Sequence, residues 1–211
     1  MHKQVVYTSI FGKYDRLMDP VKHSDNIDYI CFTDSTDFSS DIWQIRSVSP
    51  AIENDPIRSA RHYKICAHRY LSEYRYSLYI DGNARLMKIP DIEKLLNGKE
   101  IALEPHRKRN CLYVEADVCK QRNLDKSDII DKQINAYRRA GFPENAGLYA
   151  SYMIAREHNA LARSSERWWN SVLSGSRRDQ ISFPVVFLKH SIEPIYAEVR
   201  RELIKFKRHK K

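Results

Sequence analysis

Strand-like and helix-like runs alternate along this chain, and that alternation narrows its fold more than any other feature. Residues 4–11, 27–33 and 42–48 are rich in β-branched and aromatic side chains and read as three strands. Over 56–74 the period lengthens: Ile57, Ala60, Tyr63, Ala67 and Leu71 recur every three or four positions, as on one helix face. Residues 78–80 and 100–103 read as further strands, separated by a short helix over 90–96 that Asn97-Gly98 closes. Helices are expected over 110–122, 127–140 and 159–173, with a strand over 148–154 and an apolar run over 181–188. Strands interleaved with helices predict an α/β fold, a sheet covered on both faces. The expected organisation is one domain over 1–191 followed by a basic helix or tail over 192–211.

Composition removes several function classes. No run approaches the roughly 18 apolar residues needed to span a bilayer. The N-terminus enters the first strand without an apolar leader, so the expected location is the cytoplasm. Cys31, Cys66, Cys111 and Cys119 show neither zinc nor C-x-x-C spacing. Formal net charge is +9, which calls for an anionic partner. Part of it sits after Arg200, where Arg201, Lys205, Lys207, Arg208, Lys210 and Lys211 face Glu202 alone, a segment suited to peripheral contact with the inner face of a membrane. Elsewhere acids are interspersed with the bases, unlike a phosphate-tracking surface, so nucleic acid is not the expected partner. Only six glycines occur, and there is no P-loop, G-x-G-x-x-G or G-x-S-x-G. A diphosphate would have to be held by a metal and by Lys or Arg side chains.

Asp81-Gly82-Asn83, at the end of the strand over 78–80, offers the oxygens for such a divalent cation. The same tripeptide is ordinary turn chemistry. Ligands of α/β sheets bind beyond the carboxyl ends of strands, where both Asp34 and Asp81 fall. Arg61, Lys64 and His68 share a helix stripe that could aim positive charge at phosphates, or simply be solvated. Trp168-Trp169 fits core better than a sugar platform.

Taken in order, these pieces resemble GT-A-type, nucleotide-sugar-dependent glycosyltransferases, and within them a family of plant hexosyltransferase-like proteins. The residues that carry the resemblance are Val6-Tyr7-Thr8-Ser9-Ile10-Phe11-Gly12-Lys13-Tyr14-Asp15, Tyr29-Ile30-Cys31-Phe32-Thr33-Asp34, Ala60-Arg61-His62-Tyr63-Lys64-Ile65, Ser77-Leu78-Tyr79-Ile80-Asp81-Gly82-Asn83, Glu115-Ala116 and Ser176 to Phe183. The resemblance implies a single GT-A-like (Rossmann-like) domain with a mixed, mostly parallel central sheet flanked by helices. It implies a nucleotide-sugar donor, a UDP-sugar first, and a glycan or lipid-linked acceptor. Thr8, Phe11, Tyr14, Asp34, Arg61, Lys64, Asp81 and Gly82 would then bind the donor, with Asn145 and Gly147 beside its sugar. Asp81, Asn83 and His190 would hold the metal, Mn²⁺ or Mg²⁺. Asp179 and Gln180 would act near the anomeric carbon, with retention favoured over inversion, and Arg177 and Arg178 could neutralise Asp179. His106, Arg109 and Glu115 would face the acceptor. Asn83 stands where a second aspartate is usual, which leaves a non-catalytic nucleotide- or glycan-binding module as the alternative.

Overall fold

The sheet grows outward from β1 (Gln4–Ile10), whose residues are almost all buried. In the computed structural model, which describes residues 4–209, β2 (Ile27–Thr33) pairs with β1 in parallel and β3 (Gln44–Ser47) continues outside it, also parallel. On the other side lies β4 (Tyr76–Ile80), parallel to β1. A small antiparallel pair joins β5 (Ala84–Leu86) to a late strand, Ile204–Phe206. Within the main sheet, β6 (Ile101–Pro105) and β4 both pair antiparallel with β7 (Tyr149–Glu157), which runs between them. The edge is β8 (Ile192–Pro194), parallel to β6, and the late strand is β9. The seven-stranded order is thus β3-β2-β1-β4-β7-β6-β8, mixed and mostly parallel as expected.

Each face of this sheet has its own core. On one, α1 (Pro56–Ile65), α5 (His158–Ser174) and α6 (Asp179–Phe187) pack Tyr63, Ile65, Leu161, Trp168 and Phe183 against Tyr7, Tyr79 and Ile154. Trp168 and Trp169 are both buried there, as core. On the other face, α2 (Ile92–Leu96) and α7 (Ala197–Leu203) cover Val6, Leu78 and Ile80. Around α6, α3 (Leu112–Gln121) and α4 (Ser127–Arg139) form a third cluster with Ile181. All four cysteines are free and buried. Among the described residues, no helix is long and apolar enough to cross a membrane.

Two segments depart from the sequence reading. The helix expected over 56–74 starts as its signals require: the Asp55 carboxylate accepts from the Arg58 N–H, and Pro56 opens the first turn. It stops at Ile65, followed by a single 3₁₀ turn at Ala67–Arg69. The cause is Arg156, whose guanidinium donates to the Lys64 and Ile65 carbonyls, the acceptors a continuing helix would need. The segment over 192–211, expected as an appended helix or tail, is instead woven into the domain. β8 joins the main sheet, α7 is short, and β9 pairs with β5. No boundary falls at 191. Residues 1–3 and the tail's Lys210 and Lys211 lie outside the described residues.

Candidate active site

Asp81 leaves the carboxyl end of β4, where its N–H donates to the Tyr152 carbonyl at 2.9 Å. Its own carbonyl accepts from the Ala84 N–H at 2.8 Å, closing a β-turn through Gly82 and Asn83. The turn and the site are therefore the same structure. Gly82 is not at positive φ, so the turn does not require glycine. What requires it is space: a Cβ there would come within 2.7 Å of Ile10 Cγ1 and 3.2 Å of Asp15 Oδ2.

Four charged groups meet behind this turn. Arg61 and Lys64, three residues apart on α1, both reach toward β4, Arg61 Nη1 at 3.9 Å and Lys64 Nζ at 3.8 Å from Asp81 Oδ1. They also meet Asp179, the first residue of α6: Lys64 Nζ lies 2.6 Å from its Oδ2 and Arg61 Nε 3.3 Å from its Oδ1. Ser151 on β7 completes the contact, accepting from Lys64 Nζ at 3.0 Å and donating to Asp179 Oδ2 at 2.9 Å. The Trp168 indole N–H donates to the Asp179 carbonyl and fixes the start of α6. Burial alone would raise the Asp179 carboxyl pKa, but the charges of Arg61 and Lys64 outweigh it and hold the group far below the usual carboxylate range. Burial lowers the Lys64 pKa, with Asp179 opposing. Asp81 Oδ1, buried, accepts no hydrogen bond.

The cleft above opens between α1 and the loop after β1, lined by Phe11, Gly12, Tyr14, Pro56, Arg61, Tyr79, Asp81, Gly82 and Arg178, and it encloses about 170 Å³. Its outer wall comes from the chain's last described residue. The His209 ring packs 4.9 Å from Tyr14, its Nδ1 lies 2.8 Å from Asp15 Oδ1, and its Nε2 lies 3.3 Å from Asn83 Nδ2. Asn83 Nδ2 also donates to the Lys207 carbonyl, and the Lys207 N–H donates to the Asn83 carbonyl at 2.8 Å.

Of the expected donor residues, the structure brings Phe11, Tyr14, Arg61, Asp81 and Gly82 to the cleft. Lys64 does not face it; only 1% exposed, it backs Asp179. Asp34 is turned to the protein, where its carboxylate accepts the Gly12 N–H and braces the loop after β1. Thr8 is buried within β1. Asn145 and Gly147 both adopt positive φ and form a turn whose Gly147 N–H donates to the Asn110 carbonyl, away from the cleft lining. Asp179 is 1% exposed with its oxygens engaged, and Gln180 Nε2 donates to the Tyr149 carbonyl; both support the cleft rather than line it. His106, Arg109 and Glu115 do come together: Arg109 Nε donates to Glu115 Oε2 at 2.6 Å and its N–H to His106 Nδ1. Burial, then Arg109, lowers the His106 pKa.

His190 is at the wrong end of the sheet. It bonds Ser164 and Glu100, and the Glu100 carbonyl accepts from Glu157, which pairs with Tyr76 at the start of β4. Asp81 follows the other end of that strand. The late histidine beside Asp81-Gly82-Asn83 is His209, whose only sequence signal was its place in a basic tail.

Among the described residues, no three His, Cys, Asp or Glu side chains converge to hold a metal by themselves. Asp81 and the His209 imidazole both line the cleft, and Asn83 contacts that imidazole, a set that suits an ion shared with a ligand, since Mg²⁺ and similar cations take one or two carboxylates and complete their shell with phosphate and water.

A cleft at the carboxyl end of the parallel strands, lined by Asp81 and Arg61, sits on a single α/β domain consistent with a GT-A-like fold. The profile of the TOD1/MUCI70 glycosyltransferase-like domain matches residues 33–209, and the chain belongs to that family. It is also 30% identical over 158 residues, 69% of its length, to "Probable hexosyltransferase MUCI70" of Arabidopsis thaliana. The chain spans 27% of the length of that relative.

Proposed function

We propose that this chain is a glycosyltransferase that moves a hexose from a nucleotide-diphosphate donor, a UDP-sugar, to a glycan or lipid-linked acceptor. The observation that carries this is Asp81, a carboxylate at a strand end that lines a cleft together with an aromatic loop and Arg61. Family membership and the similarity to a probable hexosyltransferase support it. Phe11 and Tyr14 would flank the nucleoside, and Arg61 would face the diphosphate, opposing the charge that develops there as the sugar bond breaks. A Mn²⁺ or Mg²⁺ ion held by Asp81, with Asn83 and His209 beside it, would neutralise the leaving group. Asp179, Lys64 and Ser151 keep Arg61 and Asp81 in place. The likeness of Asp179-Gln180 to the pair of retaining enzymes of this fold favours retention of anomeric configuration. Identifying the product anomer by NMR decides that point.

Calorimetric titration of UDP-sugars with and without Mn²⁺ tests the reading. Metal-strengthened binding that collapses in Asp81→Ala supports it, and no binding under either condition refutes it. Asn83, neutral and engaged with Lys207, favours a second reading, a module that binds without turnover. Donor binding with neither hydrolysis nor transfer would select it.

A further inference from the structure

The cleft needs a cation that the four-residue cluster does not supply. Arg61 and Lys64 carry two positive charges, Asp81 and Asp179 two negative ones, and all four contacts between the pairs are 3.9 Å or shorter. The set is neutral by itself, and Lys64 is closed off from the cleft. A diphosphate entering here meets Arg61 already shared between two carboxylates.

We propose that Arg178 binds the diphosphate of the donor, an inference that rests on the nucleotide-sugar reading above. Arg178 lines the cleft beside Asp81 and Gly82, yet it ion-pairs with no carboxylate among the described residues. Its Nε is buried and without a hydrogen-bond partner. A guanidinium N–H left in that state is costly unless a ligand satisfies it, and the planar fork of arginine matches phosphate oxygens. Its backbone is pinned: the N–H donates to Ser176 Oγ, and the residue caps α6 directly before the locked Asp179. The root of the side chain is fixed, and the head reaches Cys119 on α3 and lends its charge to Asp179 while its Nε stays without a partner.

Its neighbour provides the contrast. Arg177 turns the opposite way, lying 3.7 Å from Asp125 and donating from Nε to the Leu124 carbonyl. The sequence offers Arg177 and Arg178 as equivalent neutralisers of Asp179. In the structure Arg61 and Lys64 do most of that work, Arg177 belongs to Asp125, and of the two neighbours only Arg178 lines the cleft.

The test is calorimetric titration of UDP and of uridine, each with excess Mg²⁺, into the full chain and into Arg178→Gln, Arg178→Lys and Arg177→Gln, with thermal melts to confirm folding. Arg178→Gln is expected to raise the Kd for UDP roughly ten- to a hundredfold, the range for one charge-assisted hydrogen-bonding group, and to leave uridine unchanged. Arg178→Lys should recover part of the loss, and Arg177→Gln should not alter the ratio of UDP to uridine affinity. An unchanged UDP Kd in Arg178→Gln overturns the assignment, as does an equal loss for UDP and uridine. Failure of the unaltered protein to bind UDP would instead sink the nucleotide reading and the inference with it, before any variant is compared.

Discussion

Lys64 Nζ lies 2.6 Å from Asp179 Oδ2, and each residue is only 1% exposed. Removing one member of such a pair strands the other charge in the interior, which costs about 3–5 kcal/mol. Asp179→Asn should therefore destabilise the protein by about that amount in urea unfolding. Replacing both, as Lys64→Met with Asp179→Asn, should cost less than the two single changes summed, because no buried charge is left alone. Strict additivity would show that the pair is not coupled.

Gly82→Ala places a methyl group within 2.7 Å of Ile10 Cγ1 on β1. Overpacking of this kind costs about 1–3 kcal/mol. Because the strain falls on the turn that carries Asp81, affinity for UDP should fall together with stability. Equal stability and equal UDP affinity would refute the steric account of this glycine.

The C-terminal strap is held to the turn by two hydrogen bonds between Asn83 and Lys207. Ending the chain after Phe206 should cost about 1–2 kcal/mol, a fall in Tm of about 2–8 °C, and should weaken UDP binding by opening the wall at His209. Retention of full UDP affinity in the shortened chain would remove His209 from the cleft wall.

Acid should destabilise this protein well above the carboxylate range. Burial pushes the His158 pKa down from 6.5 to about 3, with its ring held between the Leu71 carbonyl and the Ser77 hydroxyl. Burial likewise lowers His62 from 6.5 to about 4. The unfolded chain takes up these protons below pH 6.5 while the folded one refuses them. The stability they contribute is complete above pH 6.5 and is lost as pH falls toward 4 and then 3. Urea midpoints measured from pH 7.5 to 5 should decline, and His158→Gln should flatten the decline.

Much of the sheet was legible because β1, β2 and β4 are long enough to show their composition and each ends in a turn residue. Asp81 could be placed at a strand end for the same reason. β5 and β9 were not legible: three residues carry no period, and each strand exists through a partner about 120 residues away in the chain. That pairing also decides which late histidine reaches the site, so His190 and His209 could not be told apart by residue type. Ser151 gave no signal, being one hydroxyl in an apolar strand. Arg61 and Lys64 shared a helix stripe as read, but which of them meets solvent depends on α6, and local spacing contains nothing about α6. The end of α1 was hidden likewise, since Arg156 lies some ninety residues beyond it.

The position of β7 has a consequence for how the molecule comes into being. Strands β1 to β4 can pair as they emerge, but β4 keeps an open edge bearing Leu78, Tyr79 and Ile80 until residues 149–157 arrive to cover it. An open apolar edge is a template for association with other chains, and long-range pairing is slow. Fragments ending between β4 and β7 should accordingly aggregate. The same late event delivers Ser151, and α6 then brings Asp179 to Lys64, so the charged floor of the cleft is among the last parts to assemble. A partly folded chain can have its sheet begun and its aspartate turn formed, and still have no place for a ligand to rest.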